Sequence, residues 1–264
     1  MPQVNGFLAA LLGVSQTLYL MVVFTLGVRL MRRAVRTHQL PESLLATHFL
    51  LCAGLGYLLS VSALSAARQP GLVPPQLVTA TIAAAHASSC VGVFAAICFN
   101  YLVFRRDEAW ARALVVLAAV AMSVGYVGYG WTGGFQDGRF HGVWFWLFYG
   151  TFAWGAAWVM LEPLRYHRVM RRRQQLGLAE PLVVNRFLLW GVGSVCRFLM
   201  VLGGWFASAF YPEDPTELLP PVATVALVVI AIVGLGLSVS YYLTFFPPRA
   251  YERLVDRRSR AAGA

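Results

Sequence analysis

Seven apolar stretches follow one another along the chain, separated by short polar segments. Each of them meets the roughly 20-residue length that an α-helix needs to cross the hydrocarbon of a bilayer. The stretches cover residues 7–31, 43–66, 77–104, 111–131, 143–164, 186–210 and 220–246. This pattern predicts an all-α polytopic membrane protein with seven transmembrane helices. We expect residues 1–264 to form a single seven-helix membrane domain in which 247–264 is a short basic cytoplasmic tail.

The composition agrees with this fold class, since 59% of the residues are hydrophobic and only 12% are charged. Such values are typical of a chain that is solvated by lipid, and membrane lipid is therefore an expected partner. The first apolar stretch follows the uncharged segment MPQVNG and is too long for the core of a signal peptide. We therefore expect it to remain in the mature protein as the first span.

The distribution of arginine predicts how the helices are oriented. All 21 Lys and Arg residues are Arg, and 18 of them lie in four alternate segments, 29–36, 105–112, 165–186 and 249–260. Because basic residues of short loops stay in the cytoplasm, the N-terminus is predicted outside and the C-terminus inside, in the cell inner (cytoplasmic) membrane of a bacterium. The net charge of +10 then reflects topology and attraction to anionic lipid, and we expect no nucleic-acid partner.

Parts of the first half of the chain recur in the second half. The residues Arg29, Arg32, Arg36, Gln39 and Leu40 recur 136 positions later as Arg165, Arg168, Arg172, Gln175 and Leu176. The pair Pro74–Pro75 before the third stretch recurs as Pro220–Pro221. These matches predict a 3+1+3 parallel repeat, with repeat A at 7–104, a linker helix at 111–131 and repeat B at 143–246. The alternative is that basic loops and proline-flanked helix starts look alike by chance.

This arrangement resembles, as architecture only, the SWEET sugar transporters and a wider grouping proposed to join them with microbial opsins. Repeats of this kind in transporters place the substrate site at the repeat interface near the middle of the membrane. SWEET repeats carry a Pro-Gln pair within a span, whereas here Pro75–Gln76 lies at the start of the third stretch. The chain has no lysine, so a covalent retinal pigment of the opsin kind is excluded.

A candidate ligand site is centred on Arg197, which lies near the middle of the sixth stretch with no acidic residue at comparable depth in another stretch. A charge at that depth is costly and by default marks a functional site. His86 in the third stretch is expected at a similar mid-to-outer depth. Four further polar residues are predicted to complete a ligand-binding pocket, namely Gln16, Tyr57, Ser89 and Tyr149. A guanidinium suits a small polar or anionic molecule, because it offers a planar fork of donors.

Structural interpretations compete with this hypothesis. Arg197 is equally explained if carbonyl and tyrosine oxygens accept its hydrogen bonds, and His86 alone is more typical of a hydrogen bond between helices. His48 is predicted to lie at the cytoplasmic interface, which argues against joint haem ligation by His48 and His86. Glu162 is expected to pair with Arg165 or Arg105. Asn100 is expected to form a hydrogen bond between helices.

The sequence contains no motif of a known enzyme class, and the cysteines do not follow a metal-binding spacing. We therefore expect no enzymatic activity, no cofactor and no metal. The favoured hypothesis is a transporter that binds a small polar or anionic ligand. The alternative is a seven-helix receptor or sensor that signals through a cytoplasmic protein partner at the basic loops. A cofactor-binding redox subunit is a third class, and it would be coloured when purified.

Overall fold

The computed structural model describes residues 6–67, 71–137, 142–210 and 220–255, and within these ranges the chain is helical and contains no strand. Seven long helices run as α1 Gly6–Thr37, α2 Leu40–Ala67, α3 Pro75–Phe104, α4 Ala109–Trp131, α5 Val143–Gln175, α6 Pro181–Ala209 and α7 Pro221–Phe245. A four-residue helix, Gly134–Asp137, follows α4. The prediction of an all-α membrane protein is confirmed.

Six of the long helices, α1 to α4, α6 and α7, are long and apolar enough to cross a membrane. The remaining helix, α5, has 33 residues and continues from the apolar segment 143–164 into an arginine-rich segment. The seventh span, the orientation and the repeat stay predictions. Arg68 and Arg139, the two arginines in the loops on the opposite side of the predicted topology, lie outside the described residues, as do the acidic residues Glu213, Asp214 and Glu217.

Proline defines where three of the helices begin. Pro75, Pro181 and Pro221 each occupy the first turn of their helix, where the missing N–H would in any case have no partner within the helix. The connection between α1 and α2 is tightened by Glu42, whose carboxylate accepts a 2.7 Å hydrogen bond from the Thr37 hydroxyl and pairs with Arg33 at 2.7 Å. These starts and the tight connection agree with the short loops that the sequence predicts.

The helices pack as a closed ring. Each long helix contacts the next one along the chain, α7 returns to contact α1, and α3 also contacts α5 across the ring. One buried cluster is formed by α1, α2, α3 and α7, with Val23, Leu26, Phe49, Phe99, Leu237 and Tyr241 among its members. A second cluster is formed by α3, α4 and α5, with Ile97, Met122, Phe148, Phe152 and Trp158 among its members. The interior thus has two apolar halves, and α3 contributes to both.

The helix α2 changes its winding in the middle. It is α-helical over Leu40–Thr47, becomes a π-helix over His48–Gly56, and is α-helical again over Tyr57–Ala67. Glycine lets its neighbours come very close here, because a Cβ at Gly92 of α3 would collide with the backbone of Cys52. Runs of π-helix are rare and occur frequently at functional sites. The π segment therefore directs attention to the side chains that it presents.

Candidate functional site

The guanidinium of Arg197 lies inside the ring and contacts the π segment of α2. Its Nη1 contacts Nε2 of His48, and its Nη2 donates a hydrogen bond of 3.2 Å to the Cys52 sulfur. Within the described residues, no carboxylate forms a salt bridge with it. The residue as a whole is partly buried, and protein groups surround the charge. Arg197 is thus a positive charge in the middle of an apolar helix without an acidic partner among the described residues.

His48 connects this charge to the backbone of α3. Its Nδ1 lies 2.9 Å from the carbonyl oxygen of Gly92. Because a carbonyl oxygen can only accept, Nδ1 must carry the proton, which leaves Nε2 free to accept a hydrogen bond from Arg197. The imidazole is then neutral and its orientation is fixed from both sides. His48 is only 4% exposed, so its side chain faces the interior of the bundle, and its predicted depth near the cytoplasmic interface stays a prediction.

Tyrosines from two other helices border the site. Tyr19 of α1 and Tyr241 of α7 both interact electrostatically with the Arg197 side chain. The Tyr19 ring packs edge-on against Tyr57, with 5.4 Å between ring centroids. The Tyr241 ring packs in the same way against Phe49, also at 5.4 Å. The charge is therefore enclosed by α1, α2, α6 and α7, with phenol hydroxyl groups rather than carboxylates nearby.

The donor capacity of Arg197 exceeds what the protein uses. A guanidinium has five N–H donors, and the described residues engage its two terminal nitrogens through one partner each. The remaining donors and the uncompensated charge suit an anion or a strong hydrogen-bond acceptor. Electrostatic attraction is stronger inside a protein than in water, so a small anion would interact strongly at this depth.

The direction of the Arg197 side chain explains why it contacts His48. The helix α6 begins at Pro181, at the end of the bundle where the segments 29–36, 105–112 and 165–186 bring the arginines together, which we call the arginine-rich end. Side chains on a helix lean toward its N-terminus, so Arg197 reaches back toward the arginine-rich end. His48 lies eight residues into α2, on that side of the bundle. The sequence prediction compared only backbone positions along the helices, and it therefore favoured His86 as the neighbour of Arg197.

The structure places His86 in a different part of the interior. Its Nδ1 lies 2.8 Å from the carbonyl oxygen of Ile82 in the same helix. The ring packs among aromatic side chains of the second apolar half, Tyr129, Phe135 and Phe148, at centroid distances of 5.4 to 6.2 Å. No contact between His86 and Arg197 is found within the described residues. The two residues on which the predicted pocket was centred are not brought together.

The other predicted pocket residues are divided between the two halves. Tyr57 packs against Tyr19, which borders Arg197, and Tyr149 interacts electrostatically with Cys52. The Ser89 hydroxyl lies against Gly56, at the far end of the π segment from His48. Gln16 is half-buried on α1, next to Ser15, whose hydroxyl donates to the Ala231 carbonyl of α7 at 2.8 Å. Tyr57 and Tyr149 are thus connected to the Arg197 site through Tyr19 and Cys52, and no contact of Ser89 or Gln16 with Arg197 is found within the described residues.

An arginine–glutamate ion pair lies at the arginine-rich end, with side chains that are 11% and 8% exposed. Arg105, which follows the end of α3, donates from Nε and Nη2 to the two carboxylate oxygens of Glu162, at 2.7 and 3.1 Å. Its Nη1 donates to Glu108 at 2.6 Å, and the Trp158 indole N–H donates to Glu162 at 3.1 Å. The expectation that Glu162 pairs with a nearby arginine is confirmed, with Arg105 as the partner.

Within the described residues, no group of three or more His, Cys, Asp or Glu side chains is arranged to hold a metal ion. Comparison with protein-family models, curated proteins and solved structures finds no match for this chain. The apolar helices define the class, an integral multi-pass membrane protein. Within that class, function has to be inferred from the geometry around Arg197.

Proposed function

We propose that this integral membrane protein binds a small anionic or hydrogen-bond-accepting molecule at Arg197 and moves it across the membrane. The observation that carries the proposal is a guanidinium inside the bundle that has no carboxylate partner within the described residues. Burying a charge without compensation is expensive, and such residues in membrane proteins are typical of substrate and ion pathways. A ligand anion would supply the missing compensation.

The surroundings of Arg197 define the chemistry of the ligand. The planar fork of the guanidinium favours a carboxylate or phosphate group, which can accept two parallel hydrogen bonds. The hydroxyl groups of Tyr19 and Tyr241 supply additional hydrogen-bonding capacity beside the charge. His48 leaves the site without a second permanent charge, because its imidazole is held neutral by the Gly92 carbonyl. A small organic monoanion therefore suits the site better than a cation or an apolar molecule.

Two features support transport in particular. Arg197 lies 16 residues after Pro181 and 12 residues before Ala209, or about 24 and about 18 Å along the helix axis, so the site is near the middle of α6. A site at mid-depth can be reached in turn from either side, as alternating access requires. The predicted parallel repeat would place α6 and α2 in equivalent positions of the two halves. His48 and Cys52 would then belong to one repeat and Arg197, which they contact, to the other.

Replacement of Arg197 tests the proposal. Purified protein is reconstituted in proteoliposomes and screened with small carboxylates and phosphates for saturable binding and for uptake. We expect Arg197→Leu to weaken binding at least tenfold and to abolish uptake, and Arg197→Lys to retain weaker binding because it keeps the charge but loses the planar fork. Arg36→Leu, at an exposed arginine outside the site, is the matched control.

Size-exclusion elution and thermal unfolding of each variant establish that it is folded before binding is compared. Saturable binding and uptake that survive unchanged in a folded Arg197→Leu variant would refute the proposal. If Arg197→Leu does not fold, Arg197→Lys decides, because a purely structural role predicts that a folded lysine variant binds the ligand as well as the parent protein does.

A receptor or sensor is the second candidate, and α5 is the observation that favours it. This helix continues about 17 Å beyond the apolar segment 143–164 as far as Gln175. Five arginines on this extension are exposed, Arg165, Arg168, Arg171, Arg172 and Arg173. A rigid basic helix of this kind suits an acidic protein partner. Saturable ligand binding without any uptake, together with ligand-dependent cross-linking from the extension, would favour sensing over transport.

A further inference from the structure

Asn100 of α3 is a buried amide without a hydrogen-bond partner. The residue has no exposed surface, and neither its side-chain oxygen nor its side-chain nitrogen has a partner among the described residues. The hydrogen bond between helices that the sequence led us to expect at this position is not found there. A buried amide that gives up its hydrogen bonds to water is strongly unfavourable, so an orphaned amide in the interior requires an explanation.

A second group of the same kind is Ser194 on α6. Its side chain is 1% exposed, and its hydroxyl lies beside the Tyr241 hydroxyl without a hydrogen bond of good geometry. Serine in a membrane helix usually bonds back to the carbonyl four residues earlier, as Ser238 does to Gly234 at 2.8 Å. Ser194 does not do so, and its hydroxyl, which lies beside Tyr241, still has capacity for a further hydrogen bond.

Along the axis of the bundle, both groups lie between Arg197 and the arginine-rich end. The Trp190 ring of α6 packs against Phe99 and Phe104 of α3, at 5.4 and 6.2 Å, so Asn100 is at the level of Trp190. From that level, Ser194 is about 6 Å and Arg197 about 10 Å farther along α6. Along α3, Gly92 is about 12 Å from Asn100, and Gly92 is the residue that holds His48 against Arg197. Measured along either helix, the Arg197 site is therefore about 10 to 12 Å from the level of Asn100.

We infer that Asn100 and Ser194 line a hydrated polar track that leads from Arg197 toward the arginine-rich end. Water in such a track satisfies the amide and the hydroxyl, as buried water commonly does for polar groups that lack a protein partner. Along the helix axis, the levels of Asn100, Ser194 and Arg197 are about 4 to 6 Å apart, a spacing that a chain of bridging waters can follow. Passage of a ligand along the track rests on the proposed function, whereas its hydration does not.

Aromatic side chains close the track at its arginine-rich end. Trp190 contacts Phe104 and Phe245 at 6.2 and 6.3 Å, and Tyr166 contacts Phe104 and Phe187 at 5.5 and 4.9 Å. We call these five residues the aromatic layer. Water in the track must pass this layer to reach the solvent at the arginine-rich end, so exchange through it is slower than exchange at an open surface.

Thiol labelling measures whether the track contains water. In a background in which Cys52 is replaced by Ser, and Cys90, Cys98 and Cys196 by Ala, Asn100→Cys is compared in proteoliposomes with two controls. Ile97→Cys probes a fully buried apolar position on the same helix, and Val103→Cys probes a position 44% exposed on the outer surface. A small hydrophilic methanethiosulfonate reacts with thiolate, which forms only where water solvates it.

We expect Asn100→Cys to react at least tenfold faster than both controls. A rate within tenfold of Ile97→Cys means that the position is dry and overturns the inference. If Asn100→Cys does not elute as a folded protein, Ser194→Cys takes its place with the same criterion. Trp190→Ala provides a second readout, because opening the aromatic layer should accelerate labelling at position 100 at least threefold and leave Ile97→Cys unchanged.

These results are separable from those that test the proposed function. Labelling is measured without any ligand, so rapid reaction at position 100 supports the track even if no anion binds at Arg197. Conversely, slow reaction together with loss of binding in Arg197→Leu removes the track and leaves the ligand site in place.

Discussion

Arg105 and Arg197 are both held against other helices, yet their charges are treated in opposite ways. Arg105 donates to both oxygens of Glu162 and also to Glu108, so it has two carboxylate partners. Arg197 contacts an imidazole and a thiol, and no carboxylate within the described residues pairs with it. The charge of Arg105 is compensated by carboxylates, whereas the partners of Arg197 within the described residues are neutral.

The difference separates a structural arginine from a candidate ligand-binding one. The hydrogen bonds that Arg105 donates to Glu162 are the main reason that the pKa of Arg105 is raised above its usual value. A bidentate pair of this kind fixes the end of α3 against α5 and has no capacity left for a ligand. Around Arg197 the neighbours are neutral, so a ligand anion would add the compensation that Glu162 supplies at the other arginine.

The largest expected effect follows from breaking the Arg105 pair. Glu162→Gln should lower the free energy of unfolding by about 3 kcal/mol, because a nearly buried guanidinium loses one of its two carboxylate partners and keeps only the more exposed Glu108. Denaturation in mixed micelles measures this loss. Glu42→Gln is the matched control, since it removes a carboxylate whose partner Arg33 is 69% exposed, and the expected loss there is at most about 1 kcal/mol. Equal losses in the two variants would contradict the assignment of a structural role to Arg105.

The comparison can also be reversed by giving Arg197 a carboxylate. The Cys52 sulfur is 3.2 Å from Nη2, so Cys52→Asp would place an acidic group directly beside the guanidinium. We expect anion binding to weaken about 100-fold, which corresponds to about 2.7 kcal/mol, because the charge is then neutralised internally. Cys52→Ser, which is neutral, should bind within a few-fold of the parent protein. Calorimetric titration measures both, and undiminished binding to the aspartate variant would argue against Arg197 as the anion site.

A smaller effect is expected when the connection through His48 is removed. His48→Leu leaves the Gly92 carbonyl without its donor and Arg197 without its acceptor, at a cost of about 1 to 3 kcal/mol. Ligand affinity should fall about tenfold, since the guanidinium is no longer held in place. His48→Gln can donate and accept like the neutral imidazole, and it should restore most of the affinity. Identical binding by the leucine and glutamine variants would show that His48 does not orient Arg197.

The smallest expected effect is on pH dependence at the Arg105 end. The hydrogen bond from Arg105 lowers the pKa of Glu108 below its ordinary value of 4.5. The contribution of the ionised Glu108 carboxylate to stability is therefore complete above pH 4.5 and is lost as the pH falls below that value. The midpoint of thermal unfolding should decline slightly over that acidic range, and Glu108→Gln should make the decline shallower. The change is small because Glu108 is exposed to solvent, and an unaltered slope would show that the contact has no measurable effect on stability.

The positions of the helices could be predicted from the sequence, because apolar length alone determines what can cross a bilayer. The apolar stretches end at residues 31 and 164, whereas the helices α1 and α5 continue to Thr37 and Gln175. Both extensions are rich in arginine, and a hydropathy pattern ends where the apolar residues end. The backbone hydrogen bonds of a helix continue into water without difficulty, so the change in polarity did not mark the end of either helix.

Arg197 could be found from the sequence because a lone charge in an apolar helix is conspicuous. Its partners could not, because the π segment His48–Gly56 has no sequence signal that we recognised. The pairing with His86 came from comparing backbone depths, whereas an arginine side chain extends several ångströms toward the start of its helix. Including that direction would have placed the guanidinium nearer to His48. The carbonyl of Gly92, which fixes the imidazole, belongs to the backbone and is invisible to any pattern of side chains.

The winding of α2 has a mechanical consequence. In the π segment each hydrogen bond spans five residues, so a turn there contains more residues than an α-helical turn does. Rewinding His48–Gly56 as an α-helix would lengthen α2 and rotate one of its two ends relative to the other. Such a change would separate Cys52 and His48 from the guanidinium without requiring any other helix to unfold. The extra residues in this coil thus lie in the part of α2 that contacts Arg197.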